Sequence, residues 1–246
     1  MSTGPLDRAF ETPAAKRRHV RQLFATIADR YDLITRILSY GMDAGWKRRL
    51  IALAAVRSGE RALDLASGTG DVAFGIARAG GRVVGLDITH RMLQHARQRT
   101  VANVPPSPVQ WTAGDMAALP CPSGAFTLVT TSYGLRNVPD LDTAIDEIVR
   151  VLAPGGRFLS LDFNRPSHPV VRAVYLGYLT ATGAALGWLL HGDADTYRYI
   201  AASIRRYPGA LGVAARLTAR GLTDVRVVPL LGGLMTIHVA RRPAAA

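Results

Sequence analysis

Apolar and polar positions along the chain fall into two alternating periods. Mostly apolar runs, "RALDLA" (61–66), "RVVGLD" (82–87), "VQWTAGD" (109–115), "FTLVTTSY" (126–133) and "RFLSLDF" (157–163), predict β-strands. Between them, helical patterns near 71–79, 89–100 and 140–152 predict helices, and the third stops at the Pro154–Gly155 pair of "APGG". Strand and helix in alternation are the signature of βαβ units around a mainly parallel sheet. The alternation breaks after Arg165. Residues 168–206 read as helical and partly apolar, a further helix lies near 208–220, and two last strands follow in "DVRVVPL" and "LMTIHVA".

The length of 246 residues suits one α/β domain carrying an insertion. We place it at 19–241, with the insertion at about 165–206 and tails at 1–18 and 242–246, the first tail expected to be flexible. The N-terminus lacks an apolar run before a cleavage site, and a single cysteine, Cys121, can build neither a disulfide framework nor a cysteine-based zinc site. A reducing cytoplasm is the expected compartment, and no metal ligand set is proposed. The net charge of +12 comes almost wholly from arginine, since Lys16 and Lys47 are the only lysines. Such a balance suits an anionic membrane surface or reflects compositional bias. Without an RNP-like or zinc-finger pattern, nucleic acid is not expected as a partner.

The turn "LDLASGTGDVAF" (63–74) joins a strand to a helix, and its Gly68-x-Gly70-x-x-Ala73 spacing fits dinucleotide and other nucleoside cofactors alike. In an open α/β sheet, ligands sit beyond the carboxyl ends of the strands. There the sequence offers Gly68–Gly70, Asp87, Asp115 and Ser132 after four consecutive strands, with Asp64 inside the first. Glycines allow close approach of the backbone, Asp87 can accept both ribose hydroxyls, and Asp115 with the Met116 main chain can read the adenine edge. The acids Asp64 and Asp71 beside the turn suit an ammonium and a sulfonium better than a pyrophosphate. This chemistry favours S-adenosyl-L-methionine over a nicotinamide cofactor. A nicotinamide reductase and a noncatalytic S-adenosylmethionine-binding regulator stand as the alternatives of other classes.

Five segments in order, "LDLASGTGDVA", "GLDITHRML", "AGDMAALPCP", "SYGLRNVPD" and "RVLAPGGRFLSLDF", resemble the class I S-adenosylmethionine-dependent methyltransferases. Three more, "FATIADRYDLITRILSYGMDAGWKR" (24–48), "GLRNVPD" (134–140) and "DADTYRYIAASIRRYP" (193–208), narrow the resemblance to the menaquinone/ubiquinone-biosynthesis C-methyltransferases, over about residues 20–240. The resemblance implies a Rossmann-like fold: a seven-stranded, mostly parallel sheet with helices on both faces, N-terminal helices, and a helical insertion after strand five. It implies cofactor contacts at Thr69, Asp87, Asp115 with Met116, and Ser132, to which the chemistry of the turn adds Asp64, Gly68 and Gly70. The implied substrate is a prenylated quinol, demethylmenaquinol first, with another small or polyketide-like phenol as the runner-up. The chain departs from the family pattern at Thr35, Asp43, Asp162 and Asn164, where Asn, His, Glu and Ser are usual. These departures bear on the identity of the quinone.

Tyr31, Asp32, Arg136, Asn137, Tyr197 and Arg198 lie in the family segments expected to meet over the ends of strands four and five. Arg136 is assigned to stabilise the phenolate and Tyr31 to share its hydrogen bonds, because methylation at a ring carbon needs an ionised neighbouring hydroxyl and an aimed ring. Arginine stays protonated, so the base is sought among His191, Asp162 and a bound water. The uncharged stretch Ala173–Leu190 is 18 residues long, borderline for a membrane span, and is read first as a lid lining the path of an isoprenoid tail, then as a core helix. Flanking arginines Arg165, Arg172, Arg205 and Arg206 predict peripheral contact with an anionic membrane, at the inner face of the cell membrane. A homodimer is left open.

Overall fold

The computed structural model describes residues 5–102 and 104–244. Four helices lead the chain: α1 (Pro5–Arg8), α2 (Pro13–Ile27), α3 (Tyr31–Leu38) and α4 (Asp43–Ala54). The alternating core follows as β1 (Arg61–Leu65), α5 (Asp71–Arg78), β2 (Arg82–Asp87), α6 (His90–Ala102), β3 (Val109–Ala113), β4 (Phe126–Ser132), α7 (Leu141–Val151) and β5 (Leu152–Phe163). Helices α8 (Pro169–His191) and α9 (Asp195–Arg206) form the insertion, and α10 (Gly209–Ala219), β6 (Thr223–Leu230) and β7 (Met235–Arg241) close the chain.

The seven strands make one sheet in the order β3-β2-β1-β4-β5-β7-β6. The first five run parallel, and β7 joins β5 and β6 antiparallel. The order reverses direction between β1 and β4, so their carboxyl ends open a crevice there. Both faces of the sheet are covered, which is why its strands read as nearly continuous apolar runs. Leu63, Leu65, Val129 and Phe158 belong to a core that includes Ile145 and Ile148 of α7, while Leu128, Leu159 and Leu161 belong to another that includes Leu50 of α4 and Ile76 of α5. Each such side chain, fully buried, contributes about 1.5–3 kcal/mol.

Two expectations from the sequence need correcting here. The first tail is not free: Thr12 caps α2 by accepting from the Ala15 main-chain N–H at 3.1 Å, with Pro13 at the first helical position. That helix then packs on α6, burying Val20 and Ile27. Residues 1–4 lie outside the described residues. The "APGG" segment does not separate helix from strand either. Helix α7 ends at Val151 and β5 starts at Leu152, because Leu152 pairs with Phe126 before the register shifts ahead of Arg157.

Helix α8 is not a core helix. Only 22% of its most apolar 18-residue window is buried, at Leu176, Leu179, Gly183 and Gly187, where it packs on α9. Its small residues let the two helices touch: a Cβ on Gly183 would lie 2.8 Å from the Tyr197 carbonyl oxygen. The opposite face leaves Val170, Val174, Trp188 and Leu189 exposed.

Candidate active site

The glycine turn follows β1 with left-handed backbone at Ala66, Gly68 and Gly70. Four strand ends build a cleft around it, lined by Gly68, Asp87, Asp115, Met116 and Ser132. Asp64 and Thr69 line a smaller recess at the end of β1, which shares Tyr31, Ala66, Gly68 and Ser132 with the cleft. Seven of the eight expected cofactor residues are thus gathered into two connected spaces. Gly70 lines neither, for it serves packing: at φ 97° a Cβ would meet Trp111 at 2.6 Å and Phe74 at 2.9 Å.

The acids divide by what already holds them. Asp87 accepts from the main-chain N–H of Gly68 at 2.9 Å and of Thr89 at 2.7 Å, each through a different oxygen, which leaves lone pairs for two ribose hydroxyls. Burial pushes its carboxyl above the ordinary value against those two donors. Asp115 accepts from Ala117 N–H at 2.9 Å and pairs with Arg17 of α2 at 2.9 Å, so the N-terminal helix closes that end of the cleft. Asp64 is buried and pushed up to about 7 by desolvation, partly offset by the Thr130 hydroxyl at 2.7 Å. Its second oxygen and the Ser132 hydroxyl are buried without a partner. Orphaned acceptors of this kind require a ligand or water, and an ammonium with adjacent hydroxyls fits them. Asp71 is not the free acid expected from the turn: Lys47 at 2.9 Å and Arg99 at 2.7 Å neutralise it and hold its carboxyl below the ordinary range.

Beside the cleft lies an apolar cavity of about 320 Å³, which Phe24, Tyr31 and Tyr133 separate from the cofactor space while lining both. The insertion supplies Tyr175, Tyr178, Leu179 and Tyr197, and the turn between β6 and β7 supplies Leu231 and Leu234. Arg136 is the buried cation on its wall. Its Nε lies 3.1 Å from Asp162 Oδ1 and its Nη1 donates to Asn137 Oδ1 at 2.8 Å, while the guanidinium stacks 5.0 Å from the Phe163 ring. No partner for Nη2 occurs among the described hydrogen bonds, so a donor edge remains for a substrate oxygen. Burial raises the Asp162 carboxyl while Arg136 and two main-chain N–H groups pull it down. Burial also raises the Tyr31 phenol, opposed by the Lys47 charge, so Tyr31 stays a neutral O–H donor.

Other expected residues stand apart. Asp32 accepts from the Thr69 hydroxyl at 2.7 Å on the outer side of the turn, and Arg198 pairs with Asp195 at 3.0 Å, so neither lines the cavity. Asn137 lines the cofactor cleft instead and donates to the Tyr133 carbonyl. Among the candidate bases, Asp162 is spent on Arg136, and His191 is bonded to the Tyr197 hydroxyl at 2.9 Å outside the cavity lining. Lys47 and Tyr133 stand in family segments, 24–48 and "SYGLRNVPD", without a role assigned from the sequence. Left-handed backbone at Tyr133 (φ 61°) is the sort of strain that collects at functional sites.

The model of the ubiE/COQ5 methyltransferase family matches residues 12–242. The chain belongs to that family. It is 40% identical over 223 residues, 90% of this chain and all of the relative, to a demethylmenaquinone methyltransferase of Thermus thermophilus. It is 37% identical to a ubiquinone/menaquinone biosynthesis C-methyltransferase UbiE of Rubrivivax gelatinosus, covering 98% of this chain and 96% of that one. A solved S-adenosylmethionine-dependent methyltransferase from Aquifex aeolicus shares the fold with a TM-score of 0.57 at 14% identity, over 79% of this chain and 88% of that one. The family match makes this chain an S-adenosylmethionine-dependent methyltransferase.

Proposed function

We propose that this methyltransferase methylates a ring carbon of demethylmenaquinol, with Arg136 and Tyr31 as the groups that act on the ring. The chain is an S-adenosylmethionine-dependent C-methyltransferase of menaquinone and ubiquinone biosynthesis, acting on a prenylated quinol. Its relative named for demethylmenaquinone matches at 40% identity over its whole length, which supports that acceptor. The single observation that carries the reading is the buried arginine edge on an apolar cavity that abuts the cofactor cleft.

Bound S-adenosylmethionine supplies an electrophilic methyl group on a positive sulfur. Arg136 holds the quinol oxygen as a phenolate, since a guanidinium stays charged and in a dry cavity its field is weakly screened. Tyr31 donates a second hydrogen bond to that oxygen. Phe24, Tyr31 and Tyr133 exclude water from the junction and press the ring toward the cleft. The ring carbon would take the methyl as its bond to sulfur breaks, leaving S-adenosylhomocysteine, and would then lose its own proton to restore the aromatic ring. Both protons would leave to water at the solvent-facing rim of the cavity by Tyr40 and Tyr178, outside that junction, the phenolic one before attack and the ring proton after it.

The membrane supplies the acceptor. The outer face of α8 carries Val170, Val174, Tyr178, Trp188 and Leu189, and an open groove along its other edge is lined by Arg165, Arg172, Arg198 and Arg205. Tyr178, exposed yet lining the cavity, meets the Tyr40 hydroxyl at its rim. The helix lies on an anionic leaflet, at the cytoplasmic face, with its apolar side toward the acyl chains and its arginines on the headgroups. Incubation with methyl-labelled S-adenosylmethionine and demethylmenaquinol in vesicles should give labelled menaquinol by mass spectrometry. Labelling of water-soluble phenols with none of the quinol refutes the assignment.

A further inference from the structure

The recess beside the glycine turn holds a second buried cation, the ammonium of Lys47. Lys47 of α4 is buried, yet it lines this recess together with Asp64, Thr69 and Ser132. Its ammonium has three donors. One goes to Asp43 Oδ2 at 2.7 Å and one to Asp71 Oδ2 at 2.9 Å, and no third acceptor occurs among the described residues. Neither acid depends on Lys47 alone. Arg99 also holds Asp71 at 2.7 Å, and the Tyr133 hydroxyl donates to Asp43 at 2.5 Å. A buried lysine with a spare donor is costly unless something completes its shell. On the same recess, Asp64 keeps a buried oxygen without a partner. One spare positive donor and one spare negative acceptor in a single small space are complementary to an α-amino acid group.

We propose that Lys47 binds the α-carboxylate of the cofactor's methionine moiety while Asp64 takes its α-ammonium. The proposal rests on the S-adenosylmethionine reading of the cleft. Against the burial penalty, the carboxylates of Asp71 and Asp43 raise the lysine above its ordinary value, so it is charged throughout the working range. Helix α4 thereby couples cofactor to acceptor, because Lys47 fixes Asp43, Asp43 fixes Tyr133, and Tyr133 forms part of the wall between the two spaces.

Calorimetry on the full chain separates this role from a structural one. S-adenosylhomocysteine carries the amino acid group and 5'-methylthioadenosine lacks it. Lys47→Met should weaken the first by about tenfold to a hundredfold, the range for one charge-assisted hydrogen bond, and leave the second within about twofold. Equal losses for both ligands, or none for S-adenosylhomocysteine, overturn the proposal. Decarboxylated S-adenosylmethionine tests the same contact in the unaltered protein and should bind more weakly than S-adenosylmethionine by a similar factor. Equal affinities there also overturn it. Failure of the unaltered protein to bind S-adenosylhomocysteine and 5'-methylthioadenosine alike would instead remove the cofactor reading.

Discussion

Cofactor affinity should depend on pH through Asp64. Its carboxyl is raised from the ordinary 3.8 to about 7, first by burial, against the Thr130 hydroxyl and the Lys47 charge. At about 1.4 kcal/mol per tenfold, that difference places roughly 4 kcal/mol on the charged form before an ammonium binds. The sign follows directly: a raised carboxyl favours the protonated folded protein, so ionising it costs stability as pH climbs through 7. An ammonium beside Asp64 reverses the preference, and binding expels the proton. If only the ionised form binds, its fraction climbs from about 3% at pH 5.5 to about half at pH 7, and the dissociation constant falls about fifteenfold. The α-amino group itself stays charged over this interval, since it ordinarily titrates near 7.7–8.0. Calorimetry with S-adenosylhomocysteine at the two pH values, in buffers of different ionisation enthalpy, reads both the affinity and the released proton. Asp64→Asn keeps the shape and the contact to Thr130, and should flatten the dependence. A flat profile in the unaltered protein, or the same slope in the variant, refutes the argument.

For the reaction itself, Arg136→Lys should retain cofactor affinity and lose most single turnover with demethylmenaquinol, because lysine lacks the fork that binds Asp162, Asn137 and an oxygen together. Near-normal turnover would make Arg136 structural. Gly70→Ala should lower stability by about 1–3 kcal/mol in a thermal melt, from left-handed backbone plus the clash with Trp111 and Phe74; an unchanged melting temperature contradicts the packing role. On anionic vesicles at low salt, Trp188, 70% exposed, should blue-shift its emission, with reversal by added salt. Replacing Trp188 with Ser should abolish that shift, and an identical spectrum with neutral and anionic vesicles counts against membrane docking through α8.

The local signals in the chain determined the elements and their class. Apolar runs marked strands buried on both faces, and the small and acidic residues after them marked the ligand edge, because chain direction in a parallel sheet puts every carboxyl end on one side. The motifs identified the family on their own. One strong local signal lies inside the expected tail: Thr12–Pro13 is an N-cap followed by a first-turn proline. What the chain could not display is pairing between segments far apart in sequence. Lys16 donates to the Arg136 carbonyl across 120 residues, Tyr133 reaches Asp43 across 90, and Arg136 meets Asp162 across 26. Such partners decide which polar groups are spent and which are left for a ligand. That is why Asp71 is neutralised, Asp32 and Arg198 face outward, and Lys47, an ordinary basic residue in the sequence, becomes the buried cation beside the cofactor recess. Burial does the rest, since a carboxyl such as Asp64 acquires its shifted proton affinity only when the folded chain removes its water.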